Sequence, residues 1–220
     1  FNFNVGRYYQ LPPYTVLGYR NNNNVLVNRD NGLKYMQADH FVAGFEFLTK
    51  TNGKISVEGF YKIYDQYPFL TNDSLSLANL GADFGVVGNR PAESTSQGRA
   101  RGLEFLFQQK LFNGFYGILS YTYVRSEFKD KEGEYVRSSW DNVHLVSVVG
   151  GKKFKRNWEL GVRFRLYGGN PYTPFDVQNS MQVQAWAINQ QGIPDYDRLN
   201  TEETAVFHQL DIRLDKKYFF

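Results

Sequence analysis

Along most of this chain apolar and polar residues alternate at every position, in long runs broken by turns. In the last run Val206, His208, Leu210, Ile212 and Leu214 share one side, while Gln209, Asp211, Arg213 and Asp215 share the other. Successive side chains of a strand point to opposite faces, so a period of two marks a β-strand with one apolar and one polar face. Trp158, Leu160, Val162, Phe164 and Leu166 oppose Glu159, Arg163 and Arg165 in the same way. Leu103, Phe105 and Phe107 oppose Glu104 and Gln108; Ile55, Val57, Tyr61 and Ile63 oppose Ser56, Glu58 and Lys62; Phe41, Ala43, Phe45 and Phe47 oppose His40 and Glu46. Only the run from Phe115 is ambiguous, because Tyr116 and Ile118 share the side of Ser120 and Thr122. The pattern predicts eight strands: Phe1–Tyr9, Tyr35–Lys50, Lys54–Tyr67, Arg99–Lys110, Phe115–Phe128, Trp140–Phe154, Trp158–Gly168 and Thr204–Lys216.

Their connections alternate between short and long. Thr51–Gly53, Leu111–Gly114 and Lys155–Asn157 are brief polar turns, whereas Gln10–Leu33, Phe69–Gly98, Lys129–Ser139 and Gly169–Glu203 are long loops. This is an all-β antiparallel meander with its tight turns at one end and its loops at the other. A transmembrane barrel of the outer membrane has that layout, with its apolar face toward lipid and its polar face toward a wet lumen. A soluble sandwich also alternates, with its apolar face inward. Charge on the polar side of strand after strand favours the wet lumen. So do aromatic residues at strand ends, which suit interfacial girdles: Tyr67, Tyr123, Trp140 and Tyr167 by the loops, Phe112, Phe115, Phe154 and Trp158 by the turns. Prolines fall at or beyond strand ends, as the missing ladder donor requires.

Composition narrows the picture. A chain of 220 residues suits one all-β domain, and 17% aromatic residues, with 16 Tyr and 19 Phe, favour strands over helices. The net charge of +3 is small and scattered, which argues against nucleic acid as a partner. With no cysteine, disulfides, Cys zinc sites and thiol catalysis are excluded. A mean hydropathy of −0.50 and the lack of a long apolar run exclude a transmembrane helix, but not strands that are apolar on one face only.

Catalytic chemistry has no support. His40, His144 and His208 lie on three different strands, and no serine nucleophile with a base can be nominated. The chain therefore reads as no enzyme, with no cofactor and no metal. Asp195, Asp197, Asn72 and Asp73 offer loop oxygens without a calcium-binding spacing, so solvated loops are expected there. Glu58, Glu104, Glu159, Arg163, Arg165, Asp211 and Arg213 are expected to line the lumen, the arginines serving as cross-strand partners for the carboxylates. For ligand capture the Gly169–Glu203 loop is the candidate, because Tyr172, Phe175, Trp186 and Tyr196 stand there among amides, a mixture suited to sugars or polar chelates.

Several segments, in order, resemble the C-terminal part of a TonB-dependent outer-membrane receptor, particularly of the Bacteroidetes type. They are Gly6–Tyr14, Arg101–Phe105, Tyr121–Tyr123, Trp140–His144, Trp158–Gly161, Gly168–Pro174, Asp195–Asn200 and His208–Lys217. Each is weak alone; order and spacing together carry the likeness along nearly the whole chain. The resemblance implies residues 1–220 are a segment of a barrel of about 22 strands around a plug. It also implies import of a scarce nutrient (ferric siderophore, cobalamin or glycan) driven through TonB. Expected partners are outer-membrane lipid, the plug, the remaining strands, TonB and the nutrient, and the expected place is the bacterial outer membrane. On this reading the plug and about two final strands lie outside the 220 residues. Such a segment alone would be an open curved sheet, and the terminal Phe220 would not be the assembly signal it resembles. A self-contained small barrel with an adhesive or structural role is the alternative, since eight strands can close.

Overall fold

A computed structural model describes residues 1–80, 90–189 and 192–218. Part of the second long loop and the terminal Phe220 lie outside the described residues. The eight long strands are β1 (Asn2–Gln10), β2 (Met36–Leu48), β3 (Gly53–Leu70), β4 (Ala92–Phe112), β5 (Phe115–Lys129), β6 (Val143–Lys153), β7 (Trp158–Tyr167) and β8 (Phe207–Lys216). They pair antiparallel in chain order from β1 to β8, as one meander. β1 and β8 are not neighbours, so the sheet is open rather than a closed small barrel.

The turns follow from local backbone chemistry. Asn113 and Gly114 have φ of 48° and 82°, and the flanking Phe112 and Phe115 are paired. Two consecutive positive φ values make the two-residue hairpin turn whose twist matches the strands, which is why Asn-Gly stands there. Between β2 and β3 the turn is longer, and Asn52 at φ 59° supplies its left-handed residue before Gly53.

Most strands agree with the sequence reading to within a few residues; β4 does not. It begins at Ala92 rather than Arg99, and its added Glu93–Gly98 stretch pairs with the upper end of β3 across register shifts near Gln66, whose φ is 58°. β6 begins at Val143, because Trp140–Asn142 belongs to the loop. The long loops carry short helices that the alternation did not predict: α1 (Tyr14–Leu17), α2 (Val27–Asp30), α3 (Val177–Ser180) and α4 (Val183–Asn189).

Register settles the faces. Glu58 pairs with Glu104, Glu104 with Thr122, and Ser120 with both Leu106 and Ser147. Tyr116 and Ile118 therefore stand on the charged face, and Tyr116 donates to Glu159 Oε1 at 2.6 Å. The opposite face is apolar and open: Phe45 is 57% exposed, and Leu210, Ile212 and Leu214 are 60%, 68% and 63%. Among the described residues no second sheet covers either face, so they enclose no dry sandwich interior. Turn-side aromatics line the edge of the apolar face, with Lys152 over Phe115 at 4.1 Å and Lys216 over Trp158 at 5.3 Å. Two of the loop-side aromatics do not join a girdle. Tyr67 packs with Tyr64 and Phe128, and Tyr167 stands beside Phe207 on the charged face.

Candidate ligand-capture surface at the loop end

Burial is concentrated above the ladder. Val16 from the first loop, Leu70 from the end of β3, Leu75 from the second loop and Ala92 from the start of β4 are each at most 2% exposed, and Leu33, Leu77, Leu80 and Tyr196 pack around them. The first loop thus shares one small core with the upper ends of β3 and β4 and the turn between them, and burying Val16, Leu70 and Leu75 stabilises the loop end by about 1.5–3 kcal/mol each.

Buried polar side chains tie the loops to this core. Asn28 donates through Nδ2 to the carbonyls of Val16 and Arg90 at 2.7 and 2.9 Å, and its Oδ1 accepts from Ala92 N at 2.7 Å. Asn200 donates to the carbonyls of Asn79 at 3.1 Å and Arg137 at 2.8 Å, fastening the last long loop to the second and third. Asp141, fully buried, accepts from Ser126 N at 2.8 Å, from Arg137 Nε at 2.7 Å, and lies 3.3 Å from an Arg125 nitrogen. Arg137 also pairs with Glu203. A buried carboxylate needs such partners, since one left uncompensated is strongly destabilising.

On this base the four aromatic residues of the last loop divide. Tyr172, in a two-residue strand with Pro171 that pairs with Glu202–Glu203, is 45% exposed, and Phe175 is 56% exposed. Trp186 is 51% exposed, although its Nε1 donates to the Ser180 carbonyl at 2.5 Å. With Val177, Met181 and Val183 at 68–78% exposure, these residues make α3, α4 and their approaches an exposed apolar ridge. Tyr196 departs from the group. It is half-buried against the loop core and lines a cavity of about 320 Å³ with Asp73, Asp130, Glu132, Asp197 and Thr201.

The structure brings Asp73 and Asp197 to one cavity, from loops far apart in sequence. Asp73 is held by Arg90 at 2.5 Å, and Asp195 caps its own turn by accepting from Asp197 N at 3.2 Å. Among the described residues no group of three acidic or histidine side chains is placed to hold a metal ion. Burial would lower the Arg90 guanidinium, but hydrogen bonds from it to Tyr196 and Asp73 hold it above its ordinary value. At the start of α3 the Asn179 backbone N–H, at 3.0 Å, and then the Asn179 amide hold the Asp176 carboxyl below the usual carboxylate range.

The seven charged residues read from sequence as lumen-lining lie on one face by register: Glu58 beside Glu104, Arg163 beside Asp211, Arg165 beside Gln209, Arg213 beside Gly161, and Glu159 beside Asp215. The cross-strand pairing expected for Arg213 is replaced by a pair along its own strand, with Asp215 at 2.7 Å. Glu159 meets Tyr116 and, at 3.7 Å, Lys217.

A family profile described as "TonB dependent receptor-like, beta-barrel" matches residues 1–214. The chain belongs to the TonB-dependent receptor β-barrel family. Its fold is accordingly a segment of a transmembrane barrel, and its place is the bacterial outer membrane. The family and its structural neighbours are transport receptors rather than enzymes. Among solved structures, the ferripyoverdine receptor of the outer membrane of Pseudomonas aeruginosa superposes with a TM-score of 0.60 at 14% identity, over 96% of this chain and 24% of that one. The ferric-catecholate import receptor Fiu of E. coli K12 gives 0.62 at 13% identity, over 96% and 26%. The FrpB iron transporter of Neisseria meningitidis gives 0.54 at 14%, over 84% and 25%. The chain thus spans about a quarter of the length of these relatives. None of the curated proteins searched matches it.

Proposed function

We propose that these residues form part of the wall and outer mouth of a receptor that imports a scarce, polar nutrient, a metal chelate or a glycan. The apolar face meets lipid, and the charged face, with Glu58, Glu104, Glu159, Arg163, Arg165, Asp211 and Arg213, borders a water-filled lumen that a plug occupies. The energy comes through TonB by way of that plug. The Bacteroidetes type of the receptor is part of this proposal and rests on the order of the sequence segments.

One observation carries the reading: a loop core holds an apolar ridge open to solvent above a membrane-spanning wall, where an approaching ligand meets it first. Tyr172, Phe175 and Trp186 offer rigid aromatic area of the sort that anchors ligands. Tyr196 contributes from below, as a wall of the acidic cavity. The test is ligand binding and uptake by the full-length receptor carrying Tyr172→Ala with Trp186→Ala. Anchoring aromatics cost about 2 kcal/mol or more when truncated, so affinity falls by about thirtyfold or more. Unchanged binding and uptake would remove the loop from the ligand site.

A further inference from the structure

The apolar face has a notch with a cation at its upper edge. Phe3, Ala43, Gly59, Leu103 and Tyr123 form one continuous row across β1 to β5. Ala43 and Gly59 sit side by side in that row, between larger neighbours, and the missing side-chain volume leaves an open groove of about 410 Å³. The next row toward the loops runs Phe41, Tyr61, Arg101. Phe41, Tyr61 and Arg101 all line the groove.

Arg101 is the first charged residue on the apolar face of β4, after Phe107, Phe105 and Leu103. With a rise of about 3.3 Å per residue and a tilt of about 40°, it stands on the order of 28 Å above the turn end of β4, at the upper edge of an apolar band about 25 Å tall. Its guanidinium is 3.7 Å from Glu127, a carboxylate that Arg99 already holds at 2.8 Å. Two arginines therefore share one acid, and the Arg101 side chain stays 48% exposed. Farther up, Lys129 is bonded to the neutral Gln97 at 2.9 Å, Asp65 faces Gln97 at 3.3 Å, and Asp39, one row above Phe41, is held by Arg7 at 2.6 Å. An arginine at this depth lays its stem along apolar surface and keeps its head at the level of lipid headgroups.

We propose that this groove is a binding site for a lipid whose phosphate headgroup carries a net negative charge. An acyl chain lies in the notch over Ala43 and Gly59, and the phosphate meets Arg101, with the Tyr61 and Tyr123 rings at the interface. A chain without a headgroup charge fills the notch but leaves Arg101 with its shared, longer contact to Glu127, and a soluble anion leaves the notch empty; an anionic amphiphile satisfies both. The site rests on the reading that the apolar face is lipid-facing.

The test is native mass spectrometry of the full-length protein in detergent, titrated with phosphatidic acid and with phosphatidylcholine of the same chains. One basic residue near a headgroup favours the anionic lipid by about fivefold. Arg101→Gln abolishes that preference and leaves phosphatidylcholine binding unchanged, while Arg101→Lys retains most of it. Gly59→Leu weakens both lipids together, since a Cβ there lies 3.4 Å from Leu103 and the added side chain extends into the notch. Equal binding of the two lipids, or a preference that survives Arg101→Gln, overturns the site and leaves the lipid-facing wall standing. Absence of binding by either lipid overturns both.

Discussion

On β7 and β8 no residue is buried, and the large apolar side chains Leu210, Ile212 and Leu214 look outward with more than half their surface open. Above the ladder, Val16, Leu70, Leu75 and Ala92 are sealed from solvent, and fully buried Asn28 and Asp141 have their polar atoms satisfied. The wall and the loop end thus distribute apolar surface in opposite senses. The loop end is organised like a small water-soluble domain, where burial comes from the chain itself. The wall leaves its burial to the bilayer, and its own contribution is a backbone in which each strand satisfies its neighbour, as hydrocarbon demands. Apolar residues therefore carry different meanings at the two ends of one strand: Leu70 is core, and Val57, thirteen positions earlier on β3, is outer surface.

The comparison breaks first at Leu70. Leu70→Ala in the full-length protein removes a side chain 1% exposed and costs the loop end about 2–5 kcal/mol. Hydrogen exchange shows this as lost protection around residues 16, 75 and 92, with β7 and β8 unchanged; a uniform loss along the strands would mean that wall and loop end are one cooperative core. On the wall, Ile212→Arg costs about 2–4 kcal/mol, because a cation replaces an apolar group in hydrocarbon. The neighbouring Arg213→Leu, on the opposite face and paired with Asp215 near the surface, costs less than about 1 kcal/mol. Denaturant titration in lipid vesicles measures both, and equal costs would contradict the assignment of faces.

Asp141→Asn is a smaller perturbation of the loop end. The amide keeps one acceptor for Ser126 N or Arg137 but leaves Arg125 and Arg137 without their shared anion. A loss of about 1–3 kcal/mol is expected, since both arginines keep some access to water. Limited proteolysis within residues 130–142 reports it. The smallest effect is a titration. Because the folded Asp176 carboxyl is held below its ordinary value, its cap on α3 is complete above the unfolded pKa of about 4 and is lost as pH falls through the folded value. With Trp140 and Trp158 replaced by Phe, Trp186 fluorescence changes in that acidic window, and Asp176→Asn removes the change.

How much of this was legible in the chain depends on where period-two alternation could operate. It fixed β7 and β8 to within a few residues and set all seven charged wall residues on one face. It stopped at Arg99 on β4, because the covered face of Glu93–Gly98 is filled by Ser96 and Gly98, small residues buried against the loop end that give no apolar alternation. The same parity that runs through Phe107, Phe105 and Leu103 continues into Arg101 and Arg99. That switch from apolar to basic on one face was visible in the sequence and marks the edge of the band. Tyr196 looked like its aromatic neighbours in the last loop, and only contact with the core formed by Val16, Leu70, Leu75 and Ala92 separated it from them.

By itself the sequence determined the strands, the Asn-Gly turn and the two faces of the wall, because these depend on residues one or two positions apart. The tertiary structure alone decided that Val16 of the first loop joins Leu70, Leu75 and Ala92 in one core, that Asp73 and Asp197 border one cavity, and that Ala43 and Gly59 leave a notch beneath Arg101. Each of these depends on register and loop closure between residues far apart along the chain, which short-range periodicity does not encode.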